Sequence, residues 1–161
     1  VHVYAIERKP EAVELLRKNR EHFHMDNMEI IEALAPEGLE ELPVPTHAFI
    51  GGSGGRLLEI LQVLYRKNPR MRIVVNAISM ETIAELREVM ETFPVEDGEI
   101  LQMQVNRVKK LGSYHLPQAE NPVWICSFTF REGEKGSMDK VKKALLTEEE
   151  NENRENGEVQ R

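Results

Sequence analysis

The sequence predicts an α/β fold with a doubly wound, mostly parallel sheet and an antiparallel last strand. Three observations carry this expectation. Short apolar runs alternate with stretches of helical periodicity, the pattern that sets parallel strands beside crossover helices. One of those runs, His47–Ile50, leads into Gly51-Gly52-Ser53-Gly54-Gly55 and then straight into a helix. The last two strands follow each other with no helix between them, so they pair antiparallel.

Each element has its own signal. Val3–Ile6 is an apolar strand that ends at Glu7. Pro10 opens a helix to about Phe23, since proline suits the first helical position. Ala12, Leu15, Leu16 and Asn19 share one face of it. Asn27 closes a turn, and Met28–Ala33 reads as the second strand. Pro36–Leu42 reads as a short helix, closed by Pro43 and Pro45. His47–Ile50, the glycine turn and a helix over Gly55–Asn68 come next, with Pro69 as the stop. Arg72–Ile78 is a buried strand. Met80–Phe93 is a helix that Ser79 caps, although Thr82 stands where a full capping box needs Glu or Gln. Glu99–Lys110 is a long strand, Val123–Phe130 another, and Ser137–Leu146 a final helix.

At 161 residues the chain is long enough for one domain with a real core, here placed at residues 1–146. Residues 147–161 read as an acidic, disordered tail. From 148 onward it holds six acids and two bases, so four of the seven net negative charges lie there. That leaves the body only mildly acidic, and nucleic acid is not an expected partner. No apolar run approaches a membrane span, so no membrane partner is expected either. No signal-peptide pattern is present. The chain starts at Val1, which predicts processing or a fragment. The single Cys126 lies in the apolar run Val123–Phe128 and reads as a buried, inert thiol of a cytoplasmic protein. His2, His22, His24 and His47 have no cysteine pair and no ligand-spaced histidine, so no metal is expected.

The glycine turn is the main functional signal. Several backbone N–H groups can point out of it at the positive end of a helix, which suits an anionic or polar ligand. Two enzyme classes compete for it. Gly51-Gly52-Ser53-Gly54-Gly55 fits the G-x-S-x-G nucleophile elbow, with Asp97 and His115 following in hydrolase order. Alternatively, the turn belongs to a nucleotide-type site in which Glu7, at a strand end, accepts hydrogen bonds from two ribose hydroxyls. Glu7 also reads as a plain exposed acid ahead of a helix, and the turn as a tight crossing. A third class is a non-catalytic binding module.

Three segments resemble class I S-adenosylmethionine-dependent methyltransferases, and among them the decarboxylating, C15-methylating precorrin methyltransferases of cobalamin biosynthesis. Val3–Ala12 looks like their second strand and following helix. Phe49–Gly55 looks like the glycine-rich turn after strand four. Leu111–Val123 looks like the loop between the last two strands. The resemblance implies a Rossmann-like sheet of strand order 3-2-1-4-5-7-6. It also implies S-adenosyl-L-methionine as cofactor, a carboxylate-rich precorrin tetrapyrrole as substrate, and a homo-oligomer, often of four subunits in such relatives. Under it Glu7, Ala33, Leu34, Ala35 and Gly51 hold the cofactor. Gly52, Ser53, Gly54, Arg56, Tyr114 and His115 meet the substrate, and Arg107, Lys109 and Lys110 face its carboxylates. Two departures stand out. Leu34 sits where a polar residue is common. The first strand and its G-x-G-x-G turn are missing, so the resemblance implies an N-terminally truncated domain, one sometimes fused behind a C5-methyltransferase domain.

Overall fold

The computed structural model describes residues 1–133. Eight strands and three helices follow in the order β1 (Val3–Glu7), α1 (Pro10–His22), β2 (Met28–Glu32), β3 (His47–Ile50), α2 (Leu57–Lys67), β4 (Arg72–Ala77), α3 (Met80–Thr92), β5 (Val95–Met103), β6 (Asn106–Leu111), β7 (Tyr114–Ala119) and β8 (Val123–Phe130). The expected final helix at Ser137–Leu146 and the acidic tail lie outside the described residues.

The strands form three groups. β1 and β2 pair parallel, with Val3 opposite Met28 and Glu7 opposite Glu32. The larger sheet has the order β3-β4-β8-β5, with β3 and β4 parallel and β8 antiparallel to both β4 and β5. β6 and β7 make a separate antiparallel hairpin. In the sequence-based numbering, β1 and β2 are strands two and three, β3 and β4 are four and five, and β8 and β5 are seven and six. The implied order is thus present on both sides of the position of strand one, and among the described residues β1 and β3 share no pairing.

The core forms where α2 and α3 cover one face of the larger sheet. Period-two alternation along β4 buries Ile73, Val75 and Ala77 under the helices. Along β8 the same alternation buries Cys126, Phe128 and Phe130. α2 is apolar enough to contribute Leu57, Leu58, Ile60, Leu61 and Leu64 to this cluster. Tyr65, Phe93 and Phe130 close one end through edge-on and stacked ring contacts. On the opposite face of the sheet Phe49 stays 66% exposed.

Four sequence-based expectations need correction. Pro36–Leu42 is a run of turns rather than a helix. Its bonds are of the i→i+3 kind, Pro36 O to Leu39 N and Leu39 O to Leu42 N, and Gly38 at φ 80° leaves the helical region. Glu99–Lys110 is two strands, because pairing with β8 ends at Met103 and β6 starts a new partnership. β5 also begins earlier, at Val95, and carries a bulge between Glu96 and Glu99 where Asp97 adopts φ 52°. The loop holding Tyr114 and His115 is strand β7, joined to β6 by a two-residue turn with Gly112 at φ 62°. On α1 the fully buried side chain is Val13, whereas Leu15 is 58% exposed.

Other local signals hold. The Ser79 hydroxyl accepts from Thr82 N and caps α3. Cys126 is fully buried, and burial pushes its thiol up from the ordinary value, which suits an inert core residue.

Two stability predictions follow from this packing. Leu61 is fully buried at the centre of the cluster, so Leu61→Ala is expected to cost about 2–5 kcal/mol in urea unfolding. The second concerns Glu85 on α3, whose Oε2 is buried without a partner among the described residues. Burial, and then the charge of Glu88, push its carboxyl up. The folded state therefore favours the protonated form. Its contribution is complete below the unfolded carboxylate range and is lost as pH rises through the folded value. Glu85→Gln is expected to unfold at higher urea than the parent at pH 7, with the gap closing near pH 4.

Candidate functional site

The candidate residues gather where β1, β2 and β3 end. The Glu7 carboxylate is already oriented: its Oε1 accepts from Arg8 N at 2.9 Å and Lys9 N at 2.8 Å. Those two bonds come from its own chain and leave Oε2 free for a hydroxyl donor. Glu7 is half-buried, and its carbonyl accepts from Ala33 N at 3.1 Å, which ties the end of β1 to the segment after β2. Ala33, Leu34 and Ala35 are half-buried on that segment. Ala35 and Leu39 rest on the core cluster.

The glycine turn has a specific backbone reason. Ser53 O accepts from Arg56 N at 3.2 Å across Gly54 and Gly55, whose φ values are 62° and 81°. Two successive left-handed residues make a type I′ turn, which a side chain strains. Gly51 and Gly52 need no such backbone. A Cβ on Gly52 would meet nothing within 4 Å, so the space above it is open. Leu34 Cδ1 lies 3.9 Å from a Cβ built on Gly54, so the segment after β2 meets this turn directly.

Arg56 stands between them and is held by two acids, which take three of its five N–H donors. Its Nη2 donates to Glu59 Oε2 at 2.8 Å and its Nε to both Glu59 oxygens, while Nη1 donates to Glu37 Oε1 at 3.2 Å. These bonds, Glu59 first, raise its pKa further and keep it cationic. Sequence reasoning singled out Arg56 but neither acid. The i,i+3 spacing of Arg56 and Glu59 was a readable signal; the contact to Glu37 needs the fold.

Tyr114 and His115 are exposed on β7 of the hairpin. Neighbours along a strand point to opposite faces, so only one can face a given ligand. Tyr114 shares its face with Arg107 and Lys109, and His115 shares the other with Lys110. Arg107 Nε donates to Glu120 at 2.6 Å, beside a shallow groove of about 320 Å³ that Lys109 and Gln118 also line.

The hydrolase arrangement fails on topology. Ser53 follows Ile50, which pairs with Val75 towards the end of β4. Asp97 lies at the other end of the sheet, where its carbonyl accepts from Arg72, the first residue of β4. A rise of about 3.3 Å per residue separates the two ends by roughly 10 Å along the strand alone. Ser53 is also buried.

Residues 1–129 match the precorrin methyltransferase domain family. The chain belongs to this family. It is 37% identical over 123 residues to a probable cobalt-precorrin-6B C(15)-methyltransferase (decarboxylating) of Methanothermobacter thermautotrophicus, covering 75% of this chain and 64% of that relative. The chain thus spans somewhat less than two thirds of that relative's length. Among solved structures it is similar to precorrin-6Y C5,15-methyltransferase from Geobacter metallireducens, with a TM-score of 0.72, 34% identity, and coverage of 80% of this chain and 67% of that one. A precorrin 8W decarboxylase from Methanobacterium thermoautotrophicum is also similar, with a TM-score of 0.69, 36% identity, and coverage of 80% and 69%. A further neighbour, an S-adenosylmethionine-dependent O-methyltransferase from Thermotoga maritima, shares the fold at a TM-score of 0.63 and 12% identity. The fold is that of S-adenosylmethionine-dependent methyltransferases, with α/β layers and a mixed sheet.

The two kinds of glycine separate in a mutational test. Gly55→Ala is expected to cost about 1–2 kcal/mol through left-handed backbone strain alone, since its Cβ would meet nothing within 4 Å. Gly52→Ala is expected to stay within about 0.5 kcal/mol of the parent in the same denaturant titration.

Proposed function

We propose that this chain is the catalytic domain of an S-adenosyl-L-methionine-dependent C-methyltransferase. Its substrate would be a precorrin, methylated at C15 with decarboxylation of a ring acetate, whose carboxyl leaves as carbon dioxide while its methylene carbon is protonated and stays on the ring, in cobalamin biosynthesis. The observation that carries this reading is the family match over residues 1–129, combined with a half-free carboxylate and an open glycine turn at one end of the sheet.

The bound cofactor supplies a methyl group on an already activated sulfonium, so positioning matters more than a strong base. The residues fit that task. Glu7 Oε2 accepts from the ribose hydroxyls, its carboxylate held by two backbone amides. Ala33, Leu34 and Ala35 offer a small apolar wall to the adenine ring. Gly51 and Gly52 leave room above the turn. Amides of Gly52, Ser53 and Gly54 suit the carboxylates of a tetrapyrrole. Arg107 and Lys109, on one hairpin face with Tyr114, suit further carboxylates. His115 and Lys110 serve the other face.

The same hairpin supports a homo-oligomer. Ile100, Leu101 and Met103 on the edge strand β5 and Val108, Leu111 and Leu116 on the hairpin are each at least 44% exposed. A two-stranded hairpin with such a surface gains stability from a partner. Four copies is the assembly the family resemblance implies, and a cytoplasmic setting fits the single thiol.

Calorimetric titration with S-adenosylhomocysteine tests the cofactor reading. Binding is expected, with Glu7→Ala weakening it at least tenfold, as loss of a charged hydrogen-bond acceptor does. Gly52→Ala is expected to leave stability intact while lowering affinity. An absence of heat with this chain in its folded state would remove the cofactor reading.

A further inference from the structure

The segment after β2 runs beside α2 and is fastened to it at intervals. Glu37 holds Arg56 at the first turn of the helix. Glu40 holds Arg66 and its carbonyl accepts from Lys67 Nζ at 2.7 Å near the last turn. Asn68 Nδ2 donates to Pro45 O at 2.8 Å just beyond. Between these points only Ala35 and Leu39 reach the core cluster. Since residues 34–42 are turns without a helical ladder, side chains must fix their position.

Of these ties, the one at Arg56 is placed differently. Arg56 N closes the type I′ turn on Ser53 O, and Arg56 is the residue from which α2 starts. Its guanidinium is held side-on by Glu59, with Nη1 left over to reach Glu37. Glu59 therefore pre-orients the arginine and Glu37 uses that orientation. The arginine side chain is only 28% exposed, although Glu37 itself is 65% exposed. A free arginine would be an open carboxylate receptor; this one has three of its five N–H donors and its orientation committed to two acids.

We propose that Arg56 is a positioning residue. With Glu59 as its brace and Glu37 as its anchor, it sets the distance between the Ala33–Ala35 segment and the Gly51–Gly55 turn. The ligand side of the claim rests on the cofactor reading above. The mechanical side does not, because it concerns two segments of the empty chain. Arg56 in this role touches neither cofactor nor substrate, so its effect reaches the ligand only through the spacing of the two turns.

Hydrogen exchange and calorimetry on the parent, Glu37→Gln and Glu59→Gln separate the two sides. Glu37→Gln takes the charge, and with it the ion pair, out of the cross-segment anchor and alters no other contact of Arg56. It is expected to speed amide exchange about threefold over residues 34–42, the scale of an exposed ion pair, and to leave residues 72–77 of β4 unchanged. Glu59→Gln frees the arginine from its brace and is expected to give a similar change, with Glu40→Gln affecting only the distal part of the segment. S-adenosylhomocysteine affinity is expected to drop about threefold in Glu37→Gln at an unchanged melting temperature, a split that general destabilisation would not produce. Unchanged exchange over 34–42 in Glu37→Gln would overturn the proposal. Faster exchange with unchanged affinity would overturn the positioning role. Faster exchange in Glu37→Gln, together with a parent that binds no S-adenosylhomocysteine, would uphold the tie and remove the cofactor reading.

Discussion

The register of β4 is the constraint on which the other elements depend. It pairs parallel with β3 and antiparallel with β8, so it fixes both halves of the larger sheet. Its inward side chains, Ile73, Val75 and Ala77, lie under α2 and α3. A slip by one residue would turn Arg72, Val74 and Asn76 inward instead, burying a guanidinium and an amide. Arg72 is instead used sideways: its guanidinium donates to Thr129, Ser127 and the Asp97 carbonyl and binds three strands at one end of the sheet. With that end occupied by structural bonds, the opposite end is left for the glycine turn after β3 and for the departure of the hairpin between β5 and β8.

Sequence periodicity reveals what burial writes into it. The strands β3, β4 and β8 and the helices α1 to α3 each carry buried residues, β1 and β2 are largely half-buried, and all were legible. The hairpin was not, because every residue of β6 and β7 is exposed and so has no inside-outside alternation to read. Pro117 in the middle of β7 also argues against a strand, yet it is tolerated where its missing N–H faces solvent. The apparent long strand Glu99–Lys110 hid a change of partner that apolar content alone does not mark. Pro36–Leu42 has helix-compatible residues, but Gly38 and the flanking prolines leave too short a run to repay nucleation. On α1 the burial of Val13 in place of Leu15 reflects which side the small β1–β2 sheet covers.

The site was legible to the extent that its chemistry is local. The glycine turn and the acid at the end of β1 are short-range patterns with backbone causes, and the type I′ geometry at Gly54 and Gly55 explains two of the four glycines. The G-x-S-x-G match had the same local support. It failed because a triad is a long-range arrangement, and the Asp97 that follows in sequence sits at the far end of the sheet. Arg56 shows the converse. Its residue type and position invite a role in ligand binding, and the fold adds a structural one, since two acids, one of them 19 residues earlier in the chain, take three of its N–H donors. Spacing within a helix reveals Glu59, whereas Glu37 becomes visible only once the segment after β2 lies along α2.

The two sheets share no strand pairing, and the segment 33–45 runs from the end of the β1–β2 pair to the start of β3. That segment relies on exposed ion pairs, a few backbone acceptors and the two half-buried side chains, Ala35 and Leu39, that pack against the core cluster. Each exposed pair contributes on the order of 0.2–1 kcal/mol and weakens with salt. The carboxylate and the turn are therefore set less firmly than the core beneath them. A ligand that touched both would add contacts across this junction and favour the arrangement in which they lie at the right distance. Binding energy would then appear in part as ordering of the junction. A site assembled across a weak seam takes its stiffness partly from what it binds, and the seam is where substitutions far from any ligand alter affinity most.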